Sequence, residues 1–361
     1  MNKIYSLPNT CLLPFCELEE KQPTLLITST PAWAAVKGKL RGLNIVASLE
    51  PIQATTEHWD ELLSTYASQA ATVYAVGGGL TADAAKYIAK RLNLPLTVCP
   101  TALSVDAFLT AASGIRREGC VVYIPTRVPD RLILDLGVIA SAPAHIRAVG
   151  IIDVLSIATG CWDWKFADEI GQNPPGMEFI PWVYDNAQSI LRGTIDCTEA
   201  AGRGDRSGLK SLYDCLAMEV QLCNQVGHAR PEEGSEHYFA YCAEQFTGPG
   251  WPHSDLVGPG VLHMAERQGQ DTHPLQVAME ACHIVLNRIP QETIRQISQV
   301  LPDYCQKHAL PFGIAHIPSP DESIFRAGRQ GVEDAKAAIK KIKKHAPELQ
   351  RPDQAWKARN K

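Results

Sequence analysis

The sequence predicts an α/β domain followed by an all-helical domain, and three observations carry that prediction. At 361 residues the chain is too long for one hydrophobic core. Over residues 1–147 short apolar runs alternate with helix-period segments, the pattern of a parallel sheet with crossover helices. From residue 148 to 361 the texture changes to long helix-period segments with few β-branched runs.

In chain order, the predicted buried strands are "TLLIT" at 24–28, "LNIVAS" at 43–48, "TVYAV" at 72–76 and "LPLTVC" at 94–99, with "RLILDL" at 131–136 closing the series. Helical candidates at 55–69 and 81–92 lie between them. Together these read as a Rossmann-like parallel sheet. The second half offers helices over 149–169, 176–193, 207–227 and 275–307, punctuated by Pro174, Pro175, Pro181 and "GPGWPHSDLVGPG". A cleft between two such domains is where a ligand is expected. The last stretch, from "GVEDAKAAIKKIKKHAPELQ", reads as a basic amphipathic helix with a solvated face, Glu333 and Asp334 favouring its N-terminus.

Composition narrows the classes of function. A formal charge of -5 gives no global attraction to nucleic acid, so no nucleic-acid partner is expected. No apolar run reaches the ~18 residues of a membrane span, and Pro8 and Pro14 break the N-terminal stretch, so no signal peptide is read there. Eleven cysteines without a CxxC pair read as buried thiols in a reducing compartment, and the expected location is cytoplasmic.

Two constellations carry chemistry. Gly77, Gly78 and Gly79 follow an apolar strand and precede a helix, where glycine permits close approach of a ligand and the helix start offers free N–H groups to an anion. The pattern is neither GxGxxG nor a Walker motif. A tight turn is the competing reading. Asp83 and Lys86 share one face of that helix, and Asp83 also suits a helix start electrostatically. In the second half, Asp153 sits inside an apolar helical run, "AVGIIDVLSIATGCWDW", where a buried carboxylate needs a partner, either a salt bridge or a cation. Further on, the segments "GSEHYFAYCAEQF" and "GWPHSDLVGPGVLHMAE" offer His237, His253 and His263. A lone histidine is more often structural, but Asp plus two histidines is a set that leaves positions open for water or substrate.

The order Gly77-Gly78-Gly79…Asp83…Lys86 resembles the GGGxxxDxxK fingerprint of the iron-containing alcohol dehydrogenase and dehydroquinate synthase superfamily. "VCPTALSVDAF", with Thr101, Ser104 and Asp106, resembles the PTxxSxDG element of its glycerol-1-phosphate dehydrogenase branch, Ala107 replacing the usual glycine. "ARPEEGSEH" resembles SRPASGSEH, "HSDLVGPG" resembles HGExVGxG, and Asp163-Trp164 matches a DW of the family. The resemblance covers about residues 24–265. It implies a dehydroquinate synthase-like fold, NAD or NADP as cofactor, and one divalent metal, zinc ahead of iron. Residue by residue it implies Gly77, Gly78, Gly79, Asp83, Thr101, Ser104 and Ser29 at the cofactor, Asp106 as the catalytic residue facing substrate, and Asp153, His237 and His253 as metal ligands. His263 has no matching ligand role in this branch; some relatives use a third histidine downstream, but the structural reading is favoured for it, as it is for Trp162 and Trp164. A homo-oligomer is implied on the same grounds.

Departures from the family pattern bear on substrate and cofactor. Ser29 stands where many members have an aspartate, which admits NADP. Glu232 and Glu233 replace small residues before His237 and disfavour a phosphorylated substrate if they face it, and Ser254, Asp255 and Pro259 alter the turn at His253. The implied reaction is reduction of dihydroxyacetone phosphate to glycerol 1-phosphate, with Arg116, Arg117 and Arg230 as cations for the phosphate. The rivals are a glycerol or polyol dehydrogenase, a sugar-phosphate cyclase of the dehydroquinate synthase type, and a family relic that binds nucleotide or metal without turnover. The cyclase lacks support in the chain, which has Asp83-Ala-Ala-Lys86 and no GGK element.

Overall fold

The computed structural model describes residues 4–66, 69–248 and 250–319, so the basic stretch from residue 331 lies outside the described residues. Backbone packing divides the chain into two compact units. The first holds the residues up to 151 with Asp196–Asn224 and Ala281–His283; the second holds Ile152–Ile195, Gln225–Glu280 and the described residues from 284 on.

The first unit is built on a six-stranded, wholly parallel sheet. Its elements run β1 (Asn9–Leu12), β2 (Glu20–Thr28), α1 (Thr30–Val36), β3 (Leu43–Leu49), α2 (Thr56–Ser64), β4 (Thr72–Gly77), α3 (Gly79–Leu92), β5 (Leu96–Pro100), β6 (Ala112–Arg117), β7 (Cys120–Pro125), β8 (Arg131–Leu134), α4 (Leu136–Ser141) and α5 (Ala144–Arg147). The strand order is β1-β8-β5-β4-β2-β3. Every residue of β4 is buried, which is why the strand reads as an unbroken apolar run rather than an alternating one. Leu26, Tyr74, Val76, Cys99 and Ile133 share one core with Phe15, Val36 and Val138. Pro23, which has no N–H to give a ladder, falls where the β2–β3 register shifts.

All five predicted strands are present, and two features were not anticipated. β1 was missed because its four residues are too few to show a period. β6 and β7 form an antiparallel hairpin joined by Glu118 and Gly119, both at positive φ (52° and 75°). That two-residue turn matches strand twist, but glutamate in its first position hid it from a composition-based reading.

The second half of the chain runs through α6 (Ile151–Leu155), α7 (Ile157–Glu169), α8 (Pro181–Arg203), α9 (Arg206–Val226), α10 (Ser235–Thr247), α11 (His253–Arg267), α12 (His273–Ala281) and α13 (Gln291–Lys307). The predicted helix over 149–169 is two helices, and that over 275–307 is also two, with a turn and Pro290 between them. The predicted 176–193 helix starts instead at Pro181, whose fixed φ suits a first turn and whose missing N–H costs nothing there. In the second unit Asp163 on α7 is fully buried. It accepts hydrogen bonds from Ser235 N (2.8 Å), the Ser235 hydroxyl, Gln268 Nε2 (3.1 Å) and Ile314 N (2.8 Å). One carboxylate therefore ties the entry to α10, the end of α11 and the segment after α13. Trp164 is buried beside it, its Nε1 donating to Met177 O at 2.8 Å, so that tryptophan is core, as read from the sequence.

Candidate metal centre and nucleotide turn

Strand β4 ends at Gly77 and α3 begins at Gly79, with Gly78 as its N-cap. Gly77 has φ 156°, and a Cβ there would lie 2.8 Å from Thr81 Oγ1; on Gly79 it would lie 2.8 Å from Val105 Cγ2. On Gly78 it would approach Ser104 Oγ to 3.3 Å. The turn is thus held open by the absence of side chains, and the 101–106 loop packs directly against it. Thr101 N donates to Gly77 O at 3.2 Å, fixing the loop to the strand end. This backbone cradle, with the unpaired N–H groups of a 14-residue helix above it, fits the pyrophosphate of a dinucleotide.

Lys86 and Asp83 serve this loop from beneath. Lys86 is fully buried, and its ammonium donates to Ala107 O (2.9 Å), Thr110 Oγ1 (3.0 Å) and Ala112 O while lying 3.0 Å from Asp83 Oδ1. Asp83 Oδ2 accepts from Gly114 N at 3.2 Å. Burial pushes the Asp83 carboxyl up, against the pull of the Lys86 ammonium. Asp83 is thereby engaged with Lys86 and β6, in the interior behind the glycine turn. Ser29 stands at the end of β2 as the N-cap of α1, without a side-chain cap bond. Asp106 is half-buried on the loop. A residue that sequence reading missed, Glu219 on α9, is buried and brings a carboxylate oxygen within 4.8 Å of one from Asp106. Its only signal was a glutamate inside the apolar face of "LAMEVQLCNQV".

In the second unit, Asp153 on α6, His237 on α10 and His253 at the start of α11 bring one ligand atom each to within 4.8 Å of one another. His253 Nε2 is 3.3 Å from Asp153 Oδ1, and the two imidazole rings lie 5.3 Å apart. Asp153 and His237 are buried, whereas the His253 side chain is 30% exposed, so the cluster has a closed back and one accessible side. Glu236, fully buried, orients the site: Oε1 accepts Gly234 N at 2.6 Å and meets His237 Nδ1 at 2.9 Å, while Oε2 accepts Thr159 Oγ1 at 2.7 Å. A proton held on Nδ1 leaves Nε2 as the ring atom able to ligate. Burial opposes charge on His237, but the Glu236 hydrogen bond and the charges of Glu233, Glu236 and Asp153 outweigh it and push it up to about 9. A donor set of one carboxylate and two imidazoles, with a carboxylate behind one imidazole, fits a divalent cation.

The other candidates fall elsewhere. His263 is outside the cluster, with Nε2 2.8 Å from Ser298 Oγ and its ring beside Phe239. Arg230 is buried, its Nη2 donating to Phe312 O at 2.8 Å; Arg116 and Arg117 are exposed on β6. Glu233 accepts the Tyr241 hydroxyl at 2.6 Å, and Asp255 is paired with Arg288 at 2.8 Å.

A parallel sheet with this glycine turn and a helical unit with this Asp–His–His cluster define a class, and comparison with known proteins agrees with it. Residues 16–143 match the family model of the iron-containing alcohol dehydrogenases. Within that class, its relatives include the glycerol-1-phosphate dehydrogenase [NAD(P)+] of Metallosphaera sedula, 27% identical over 73% of this chain and 76% of the relative. The enzyme of the same name from Methanothrix thermoacetophila is 27% identical over 56% of each chain. In fold, the chain is similar to a glycerol dehydrogenase from Schizosaccharomyces pombe, with TM-score 0.61 and 16% identity over 96% of this chain and 93% of that one. The sequence-based recognition of the superfamily and of its dehydrogenase branch is borne out. No helix among the described residues is long and apolar enough to cross a membrane.

Proposed function

We propose that this chain is a metal-dependent NAD(P) oxidoreductase that reduces dihydroxyacetone phosphate to sn-glycerol 1-phosphate. The observation that carries the reading is the convergence of Asp153, His237 and His253 on one point. The 27% identity to the Metallosphaera enzyme supports the choice of substrate. In this reading residues 1–147 serve the nucleotide and 148–361 the metal, with zinc ahead of iron because three nitrogen and oxygen ligands with an open position form a catalytic zinc pattern. Iron(II) suits the same donors. The active form is a homo-oligomer, on the family resemblance.

When bound, the divalent ion supplies Lewis acidity toward a carbonyl oxygen and the nicotinamide supplies hydride. The chain's own residues do the rest. The Gly77–Gly79 turn and the α3 N-terminus bind the pyrophosphate, and the Thr101–Asp106 loop lies along it. Glu236 holds the His237 ring with a proton on Nδ1. Asp106 orients a substrate hydroxyl or serves in a proton relay. Glu232 and Glu233 favour a second reading, an unphosphorylated polyol, if their carboxylates face the substrate, where like charges would repel a phosphate.

The test is oxidation of NADH and NADPH by the purified, metal-loaded chain, with dihydroxyacetone phosphate and dihydroxyacetone in parallel. Turnover of the phosphorylated substrate, lost in Asp153→Ala, is expected. Turnover of dihydroxyacetone alone moves the assignment to a polyol dehydrogenase, and no turnover with either defeats both.

A further inference from the structure

The strand order marks one crevice in the first unit. From β2 the sheet extends outward to β3, and from β4 it extends the other way to β5 and β8, so the order reverses between β2 and β4. Dinucleotides bind at such a reversal, outside the carboxyl ends of the strands. The two strand ends are tied by Thr28 Oγ1 donating to Val76 O at 2.7 Å, and the glycine turn continues from one of them. The neighbouring strand end is where dinucleotide folds carry the acidic residue that accepts from the adenosine ribose and repels a 2′-phosphate. Here that end offers only Ser29, which is neutral.

The next strand supplies the missing charge. β3 pairs in parallel with β2, Leu49 opposite Ile27, so Glu50 emerges at the same end of the sheet. Its carboxylate turns onto Thr30, the residue after Ser29: Oε1 accepts Thr30 N at 2.7 Å and Oε2 accepts Thr30 Oγ1 at 2.6 Å. Those bonds hold the Glu50 carboxyl below the usual carboxylate range, so it is anionic near neutral pH. Each oxygen keeps a further lone pair for a hydroxyl donor. A long side chain from the outer strand thus brings a fixed negative charge to the flank of Ser29.

We propose that Glu50, delivered from β3 and pinned on Thr30, is the residue that selects the cofactor, accepting from the adenosine ribose hydroxyls of NAD(H) and repelling the 2′-phosphate of NADP(H). This rests on the nucleotide-binding reading of the glycine turn, and it reverses the expectation from Ser29 alone that NADP is admitted freely. Glu50→Gln is the discriminating variant, because glutamine keeps the shape and an acceptor for Thr30 while removing the charge.

The experiment measures dissociation constants of NADH and NADPH by the change in their fluorescence on the full chain, without substrate. Wild type is expected to bind NADH about tenfold or more tighter than NADPH, and Glu50→Gln is expected to bring the two within about threefold, mainly by tightening NADPH. The thermal midpoints of the two proteins, measured alongside, identify any loss of fold. A wild-type preference for NADPH, or an unchanged ratio in a folded Glu50→Gln, overturns the assignment of Glu50. Failure of wild type to bind either nucleotide overturns the nucleotide site itself, and the inference with it.

Discussion

The Glu236 carboxylate meets Gly234 N, Thr159 Oγ1 and His237 Nδ1 with no exposure to solvent, so its contacts are all protein contacts. Its removal affects His237 first, since Gly234 and Thr159 can be served by a neutral acceptor and the imidazole then loses its charged partner. Glu236→Gln is expected to weaken zinc binding about 10–100-fold. Competition with a chelator measures that, and a changed visible spectrum of the cobalt(II)-substituted protein separates a displaced imidazole from mere loss of stability. An unaltered spectrum with unaltered affinity would leave Glu236 as a helix-start residue only. At this scale the sequence was informative for the residues whose chemistry demands a partner. Asp153 in an apolar run stood out because burying a carboxylate bare is costly, whereas the histidines of "GSEH" and "PHSD" stood out through the family resemblance of the words around them. The roles of Asp163 and Glu219 were not legible, because each has a partner that only the folded chain brings near: Ile314 and Asp106 are far away in sequence.

At the scale of elements, His237 and His253 belong to α10 and α11, and the distance between those helices is set by Gly260. A Cβ on Gly260 would lie 2.6 Å from the Glu236 carbonyl oxygen, a backbone atom that cannot swing aside. Gly260→Ala is therefore expected to push the two helices apart at a cost of about 1–3 kcal/mol. It should also lower the zinc content of the purified protein, because one ligand rides on each helix. A urea midpoint together with metal analysis checks both; an unshifted midpoint would mean that the helices meet with slack the geometry does not show. Element existence was readable wherever burial wrote a long pattern, as in the unbroken apolar β4 and the long amphipathic α8 and α9. Boundaries were less readable, because Ser156 and the 282–290 turn interrupt helices without changing their hydrophobic period. The hairpin stayed hidden because its turn places a glutamate at φ 52°.

At the scale of the whole molecule, the helical unit carries buried cations that shape its response to acid. Burial holds His228, His263 and His316 down to about 4, and the Arg230 guanidinium beside His228 and His316 and that of Arg267 near His263 add to the effect. Each of these histidines stays neutral in the folded chain while its unfolded counterpart takes a proton below about 6.5. The sign follows: their contribution is fully present above about pH 6.5 and is lost as pH falls toward 4. At about pH 5 each accounts for at most about 2 kcal/mol. His237 works in another window, since a folded value near 9 makes its effect in the metal-free chain one that fades as pH rises through 9, and it is constant below about 6.5. Asp163, pushed up by burial, opposes the trend, so the total slope is a compromise and the histidine share must be isolated by substitution. Phenylalanine at 316 keeps the ring stacking on Phe312 and cannot take a proton. His316→Phe is expected to lose less stability than wild type between about pH 7.5 and about pH 5, by about 1–2 kcal/mol, in urea unfolding of the metal-loaded chain. Parallel losses in the two proteins would show that His316 titrates normally, and that Arg230 is farther from it in effect than its burial implies.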